Sequence, residues 1–543
     1  MIKIKSILSK DALSIKLVVM LISIGSILYF QSNFFQLIFL DDDTLIFNKF
    51  SGLTVSEDIC VSFNSNYLGG HYYRPITLIS IVTDSIVGGQ SFFIYHFNNF
   101  LIHLLTSILI FLIIRKLGYS KFNSFFTSTL FIVSSIQINA VGWIAGRGDL
   151  LAAVFSATAL LFFLLFLNQG KIFLLLTVSI LLLLAVLSKE VSIVVPFLFI
   201  GLFFVEGKEI KLDKKSIGSL VMILVVTGFY YLLRGVFLSG VQIDKFSFTT
   251  YYKNILVLPE TISKFFIPLG IKALPSNDVF TSITGSVILI ILLFIPFKLT
   301  KVNKLRYYFG MIWFVLLMLP GMVFRTMEQD GFYYWDCRSY LPLVGLVFVI
   351  SEIFHCMESY KYKQVFYSIF TMYLLALGTT TFVKIKMYEN PETYWNSVKN
   401  DFPNRFLPYQ GLFNFYNHYK DYNNAENELL QGIKINPKEF STRRMLINFY
   451  LNTSESNSAF TQIKDALQNR IEGSVTLIEE YISLAIELEK VDEIDEMIVL
   501  YSVNKEMKLK IKQAIVQKIE LLLNSNEIAL ANLLSENIQK FSL

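Results

Sequence analysis

The chain has 543 residues, 54% of them hydrophobic and only 16% charged, with a formal net charge of +5 at pH 7. Soluble proteins carry about 25% charged residues, so a single water-facing globule is excluded, as are a disordered chain and a secreted disulfide scaffold. Cys60, Cys337 and Cys356 stand too far apart for a zinc pattern or a disulfide framework.

The charge is unevenly spread. Residues 1–390 are about 13% charged and net positive, whereas residues 391–543 are about 24% charged and net negative. This predicts an all-α, two-part protein: a polytopic membrane helix bundle over 1–390 and a soluble helical domain over 391–543. A helix needs roughly 20 mostly apolar residues to cross a bilayer. The expected spans, eleven in all, are 12–38, 92–114, 122–139, 150–168, 171–187, 190–205, 216–238, 281–297, 306–324, 340–357 and 363–385. Residues 253–272, broken by Pro259, Glu260, Lys264 and Pro268, read as a re-entrant or interfacial helix. The first apolar stretch is too long for a signal peptide and lacks a small-residue cleavage site, so it reads as a retained anchor.

Lys3, Lys5 and Lys10 precede that anchor and place the N-terminus in the cytoplasm by the positive-inside rule. With eleven spans, the basic loops at Arg115–Lys121, Lys208–Lys215, Lys298–Arg306 and Lys361–Lys363 then all fall on the cytoplasmic side. The second part falls outside, and so do most of the conspicuous polar residues of the first.

Those polar residues begin with Asp41, Asp42 and Asp43, directly after the first span. Adjacent carboxylates raise one another's pKa unless a cation offsets them. The trio is a polar stop to the helix, a general base for an acceptor hydroxyl, or part of a site for a divalent cation, the one candidate cofactor. Tyr73 and Arg74 follow in the same outer loop, where Arg74 suits a phosphate or carboxylate and an interfacial anchor equally. Asp84 reads as a cap or solvating group on a loop helix. His96, Asn99 and His103 share one face of the second span, as hydrogen-bonded packing residues or as ligands. Arg147 and Asp149 stand close enough in sequence to pair with each other. Lys189 and Glu190 sit between two spans, where charge is costly without water or a partner. Arg325, Glu328, Asp330, Asp336 and Arg338 close the series. Cations gathered around acids suit an anionic, phosphate-linked lipid substrate. No phosphate-binding Gly-rich loop and no Ser–His–Asp arrangement is visible, and no nucleic-acid partner is expected.

In the second part, Leu412-Phe413-Asn414-Phe415-Tyr416 returns 34 residues later as Leu446-Ile447-Asn448-Phe449-Tyr450, and Ala425 returns as Ala459. A 34-residue period with Leu and Tyr on one helix and Ala on the next is the tetratricopeptide (TPR) pattern. Further helix pairs are expected over 474–489 and 491–502, then 505–523 and 526–541. Such an α-solenoid is a packing platform or a docking groove for a protein partner.

Taken in order, Asp41-Asp42-Asp43, Tyr72-Tyr73-Arg74-Pro75, Tyr95-His96-Phe97-Asn98-Asn99, Trp143…Gly146-Arg147-Gly148-Asp149, Ser188-Lys189-Glu190, Tyr231-Leu232-Leu233-Arg234 and Arg338-Ser339-Tyr340-Leu341-Pro342 resemble a known series. It is that of the transmembrane and TPR-repeat-containing O-mannosyltransferase-like proteins and their bacterial relatives, which are GT-C fold glycosyltransferases. The resemblance implies inverting transfer of a sugar from a polyprenyl-phosphate carrier to a protein, lipid or glycan hydroxyl, outside a bacterial cytoplasmic membrane. It implies Asp42 or Asp41 as general base, with Asp42 ranked first and Asp43 beside them. Arg74, Tyr73, His96, Arg147, Asp149, Lys189, Glu190 and Arg338 would then serve donor or acceptor. Relatives tend to carry a His-Pro pair, another His and a Glu where this chain has Ser134, Ser135, Gln137 and Asn139. That departure removes a carboxylate and two imidazoles. The competing reading is a non-catalytic, membrane-anchored TPR scaffold for envelope assembly.

Overall fold

The computed structural model describes residues 12–48, 62, 72–89, 91–207, 213–237, 251–252, 254–275, 278–323, 334–490 and 492–494, with scattered positions between 513 and 535. The sequence expectations for Cys60, Arg325, Glu328 and Asp330 lie outside these residues, as do those for the helices beyond 494. The chain divides into two compact units, 1–397 and 398–543.

Among the described residues the first unit is helical throughout. Its helices are α1 (Ala12–Tyr29), α2 (Pro75–Gly88), α3 (Phe93–Lys116), α4 (Lys121–Val133), α5 (Ile138–Gly142), α6 (Arg147–Gln169), α7 (Ile172–Ser188) and α8 (Val195–Val205). Then come α9 (Lys214–Phe237), α10 (Val257–Phe266), α11 (Val279–Lys298), α12 (Lys304–Met318), α13 (Leu343–Glu358) and α14 (Lys363–Lys384), with α15 (Pro391–Asp401) at the unit boundary. Starts are set by local side-chain caps. The Ser120 hydroxyl accepts from the Asn123 amide at 3.0 Å, Asp278 from Thr281 at 2.9 Å, and Asn303 from Leu305 at 3.1 Å.

Seven of the described helices are long and apolar enough to cross a membrane, or eight if α4 and α5, bent by 49°, are counted as one broken span. That is fewer than the eleven expected. The difference lies in length: α7, α8 and α13 have only 17, 11 and 16 residues. The segment expected to be re-entrant forms the ten-residue α10, which rises about 15 Å, half the thickness of a bilayer core. The outer faces of the long helices are apolar. Leu224 on α9, Phe294 on α11 and Met372 on α14 are 64–71% exposed, a surface suited to hydrocarbon. The core lies around α6, whose sides are packed by α3, α7 and α8.

The second unit begins with α16 (Leu407–His418), α17 (Tyr422–Ile435), α18 (Phe440–Asn452), α19 (Ser456–Gln468) and α20 (Ile478–Glu487), each packed on the next. Leu412, Leu446, Ala425 and Ala459 are all buried. The backbone repeats with the side chains. Lys420 and Ser454, 34 positions apart, both adopt left-handed φ, 61° and 63°. After them the Asp421 amide donates to Tyr416 O at 2.9 Å, and the Glu455 amide to Tyr450 O at 2.8 Å. Each first helix of a pair thus ends in the same corner.

Two outcomes follow. Replacing Ser454 with glycine removes a left-handed penalty and raises unfolding stability by about 1 kcal/mol, measured by denaturant titration of the full-length protein. A Cβ on Gly285 would lie 1.8 Å from Pro259 O on α10. Gly285→Leu therefore forces α10 off α11 and lowers the melting temperature in detergent, at a cost of about 1–3 kcal/mol or more.

Candidate functional site

The Asp41–Asp43 loop follows the first span. Gln36 N–H donates to Glu389 O at 2.9 Å, and the Trp395 indole donates to Ile38 O at 2.8 Å. Phe39 is held at φ 56°, a left-handed conformation that a bulky residue rarely adopts. Asp42 supplies the compensation. One carboxylate oxygen accepts from Ile38 N at 2.8 Å, and the other from Leu40 N at 3.1 Å and Asp43 N at 3.2 Å. Asp42 is 1% exposed. Burial pushes its pKa to about 7, against these hydrogen bonds and with help from the Asp43 charge.

Asp41 is half-buried. Burial and the Asp43 charge raise its pKa to about 6, while Arg74 and Arg338 pull it back. Arg74 in turn forks onto Glu190, with Nε to Oε2 at 2.8 Å and Nη2 to Oε1 at 2.5 Å, and its guanidinium lies 4.4 Å from the Tyr72 ring centre. The corner carrying Lys189 and Glu190 is fixed to α2 through the Thr77 hydroxyl, which donates to Ser188 O at 2.8 Å. Lys189 is ion-paired with Asp149. Tyr73 is buried and stacks on Phe237 at 5.6 Å. Tyr230 on α9 lies in the field of Glu190, Arg74 and its own neighbour one turn on, Arg234.

Arg147 pairs with Asp84 at 2.7 Å, not with Asp149 as its sequence neighbourhood suggested. It also donates to Ser80 Oγ at 2.7 Å, to Tyr95 O at 2.6 Å and to Asn99 Oδ1. With no exposed surface it holds three helices, α2, α3 and its own α6, together. Asp84 is correspondingly the partner of a buried charge and not a solvating loop residue. A lone carboxylate in the apolar helix α2 was the signal for it. Gly146 beside Arg147 makes room. A Cβ on Gly146 would meet Ala140 O at 2.5 Å, and one on Gly148 would meet Ser188 O and Thr77 Oγ1 at 3.4 Å.

Of the four positions where this chain departs from the expected series, Ser134, Ser135 and Asn139 act as connecting groups. Ser134 Oγ donates to Phe265 O at 3.1 Å, and Ser135 meets the Thr381 hydroxyl at 2.8 Å. Asn139 donates to Tyr388 Oη at 2.5 Å and accepts from Cys337 N at 3.0 Å, which anchors the 336–339 turn that carries Arg338. Lys264 on α10 pairs with Asp336 in that turn at 2.9 Å, a contact the sequence did not suggest. His103 bonds Tyr340 Oη through Nδ1 at 2.6 Å, as a packing residue, and His96 is buried near the start of the Asp loop. Among the described residues no group of three or more His, Cys, Asp or Glu side chains forms a candidate metal site. The Asp trio does not converge on a cation, since Asp42 faces its own backbone.

The geometry can be set beside known proteins. No family model matches the chain. Over 157 residues it is 28% identical to Protein O-mannosyl-transferase TMTC3 of Mus musculus, a match covering 27% of this chain and 17% of the relative. Protein O-mannosyl-transferase TMTC3 of Homo sapiens matches at 27% identity with the same coverage. Over that part of its length the chain is similar to an O-mannosyl-transferase, and its described residues include helices long and apolar enough to cross a membrane.

Removing one member of the Arg147–Asp84 pair strands a buried charge. Asp84→Ala is expected to cost about 3–5 kcal/mol, read as a large fall in melting temperature and folded yield.

Proposed function

We propose that this protein is a GT-C type glycosyltransferase of a bacterial cytoplasmic membrane. It transfers a sugar, mannose being the first candidate, from a polyprenyl-phosphate carrier to an acceptor hydroxyl on the extracytoplasmic face. The observation that carries the reading is Asp41: a half-buried carboxylate beside two arginines, raised to about 6 and not consumed by the backbone as Asp42 is. In this reading Asp41, rather than the first-ranked Asp42, is the general base. It accepts the acceptor's hydroxyl proton as that oxygen attacks the anomeric carbon. The bond from that carbon to the phosphate oxygen breaks, and the carrier phosphate leaves with the electron pair. Arg338 and Arg74 stabilise the charge that develops there.

The division of labour supports the choice. A base must reach substrate, and Asp42 is sealed and engaged in three backbone bonds that hold Phe39 in place. Arg147 is likewise spent on structure, so donor contacts fall to Arg74, Arg338 and the Lys189–Asp149 and Glu190 groups around them. Tyr73 and His96 support the site from behind. The second unit, read as TPR-type repeats on the outer side, positions the acceptor or a protein partner.

The test uses membranes containing the full chain and polyprenyl-phosphate-linked tritiated mannose, with label transferred to protein, lipid or glycan as the readout. Asp41→Asn lowers transfer by about 100-fold or more at an unchanged melting temperature. Asp42→Asn lowers the melting temperature first, since it replaces an acceptor by a donor against three amides. Full transfer by a well-folded Asp41→Asn variant rejects the assignment. Because Asp41 must be deprotonated to act, transfer rises with pH through about 6 and levels off above it.

A further inference from the structure

Several polar groups buried between the first span and α3 take no chemical step in the proposed reaction. Tyr29 and Asn33 are wholly buried, and the protein offers no hydrogen-bond partner to the Tyr29 hydroxyl or to either amide atom of Asn33. On the facing helix, His103 uses Nδ1 for Tyr340 and lies beside the Ile132 backbone, with Nε2 in no well-aligned bond. Two turns away His96 lies beside the Gln36 backbone, with neither ring nitrogen in a well-aligned bond.

These groups form one seam. The Tyr29 and His103 rings meet edge to face at 4.7 Å, Phe30 meets Phe100 at 6.1 Å, and Phe35 meets His96 at 6.2 Å. The two segments run in opposite directions, so Asn33 falls between the two histidines. A metal does not explain the seam. His96 and His103 are seven residues apart on one helix, about 10.5 Å along its axis, and one ion bound at 2.0–2.1 Å cannot reach both. An apolar ligand would leave the amide unmet, and each unmet buried polar group costs about 1–3 kcal/mol.

We propose that the seam binds a short file of water molecules, held by Tyr29, Asn33 and His103 and reaching His96 at its outer end. A buried water needs two to four polar partners, and this seam supplies them inside an otherwise aromatic wall of Phe30, Phe100 and Phe131. Its outer end lies under Phe35 and Gln36, where the loop bearing Asp41 and Asp42 begins. The water file ties the base of that loop to α3. The inference stands apart from the proposed reaction.

The test is radiolytic labelling of the full-length protein in heavy-oxygen water, since bound water oxidises the side chains beside it. Tyr29 and His103 should label severalfold more than Tyr307, which is equally buried but whose hydroxyl donates to Leu292 O at 2.6 Å. Asn33→Leu, close to it in volume, takes a partner from the waters. The variant should lower labelling of Tyr29 and His103 and lower the melting temperature. In a dry seam the same change would remove an unmatched amide and raise the melting temperature. Labelling no greater than at Tyr307, or a melting temperature that rises in the variant, overturns the proposal.

Discussion

The Arg147 guanidinium carries a full charge and has no exposed surface, so its surroundings must supply what water would have supplied. They do so from four directions: the Asp84 carboxylate and Ser80 hydroxyl on α2, and the Tyr95 carbonyl and Asn99 amide on α3. Asn99 then reaches on to Trp143 O at 3.0 Å, just before the start of α6. The charge cannot be satisfied unless α2, α3 and α6 meet at one place. Gly146 allows that meeting, because a Cβ there would press on the Ala140 backbone. The same convergence brings the Ser188–Glu190 corner against Thr77, and so brings Glu190 to Arg74. A fully structural ion pair thereby sets the position of a half-exposed one.

The three consecutive aspartates show how one sequence feature splits into separate tasks. They look equivalent as a run, yet Asp42 turns inward to three amides and Asp41 faces two arginines. The inward turn is needed because Phe39 occupies a left-handed conformation, which exposes amides on either side of it that no helix would satisfy. Asp43 contributes charge, raising both neighbours.

Much of the architecture was legible in the sequence because it rests on periodicity and composition. The apolar runs mark the long helices, and the 34-residue repeat marks corners that recur at Lys420 and Ser454 down to their backbone angle. The broken character of 253–272 foretold the short α10. What was not legible depends on which segments meet. Arg147 and Asp149 are two residues apart, and nothing local reveals that their partners are Asp84 and Lys189, 63 and 40 positions away. The pairing of Lys264 with Asp336 is hidden in the same way. The short spans escaped because hydropathy measures how apolar a stretch is, and says less about where a 3-10 turn cuts it, as at Glu190–Val194.

The ion pairs also bear on how the proposed site could handle a phosphate. Arg74, Arg147, Lys189 and Lys264 each already hold a carboxylate, so the site offers little unopposed positive charge. A permanently cationic pocket would bind carrier phosphate before and after transfer alike, and uniform binding of that kind does not lower the barrier. The arrangement around Asp41 behaves differently. While Asp41 is ionised, its charge offsets Arg338 and Arg74. In the proposed transfer that charge disappears as Asp41 takes the acceptor proton, at the moment the leaving phosphate gains one. The arginine field then passes from carboxylate to phosphate with no net change in the charge of the site. A raised Asp41 pKa serves the same exchange, since a carboxylate that ionises near neutrality gives up its hold on the arginines most readily.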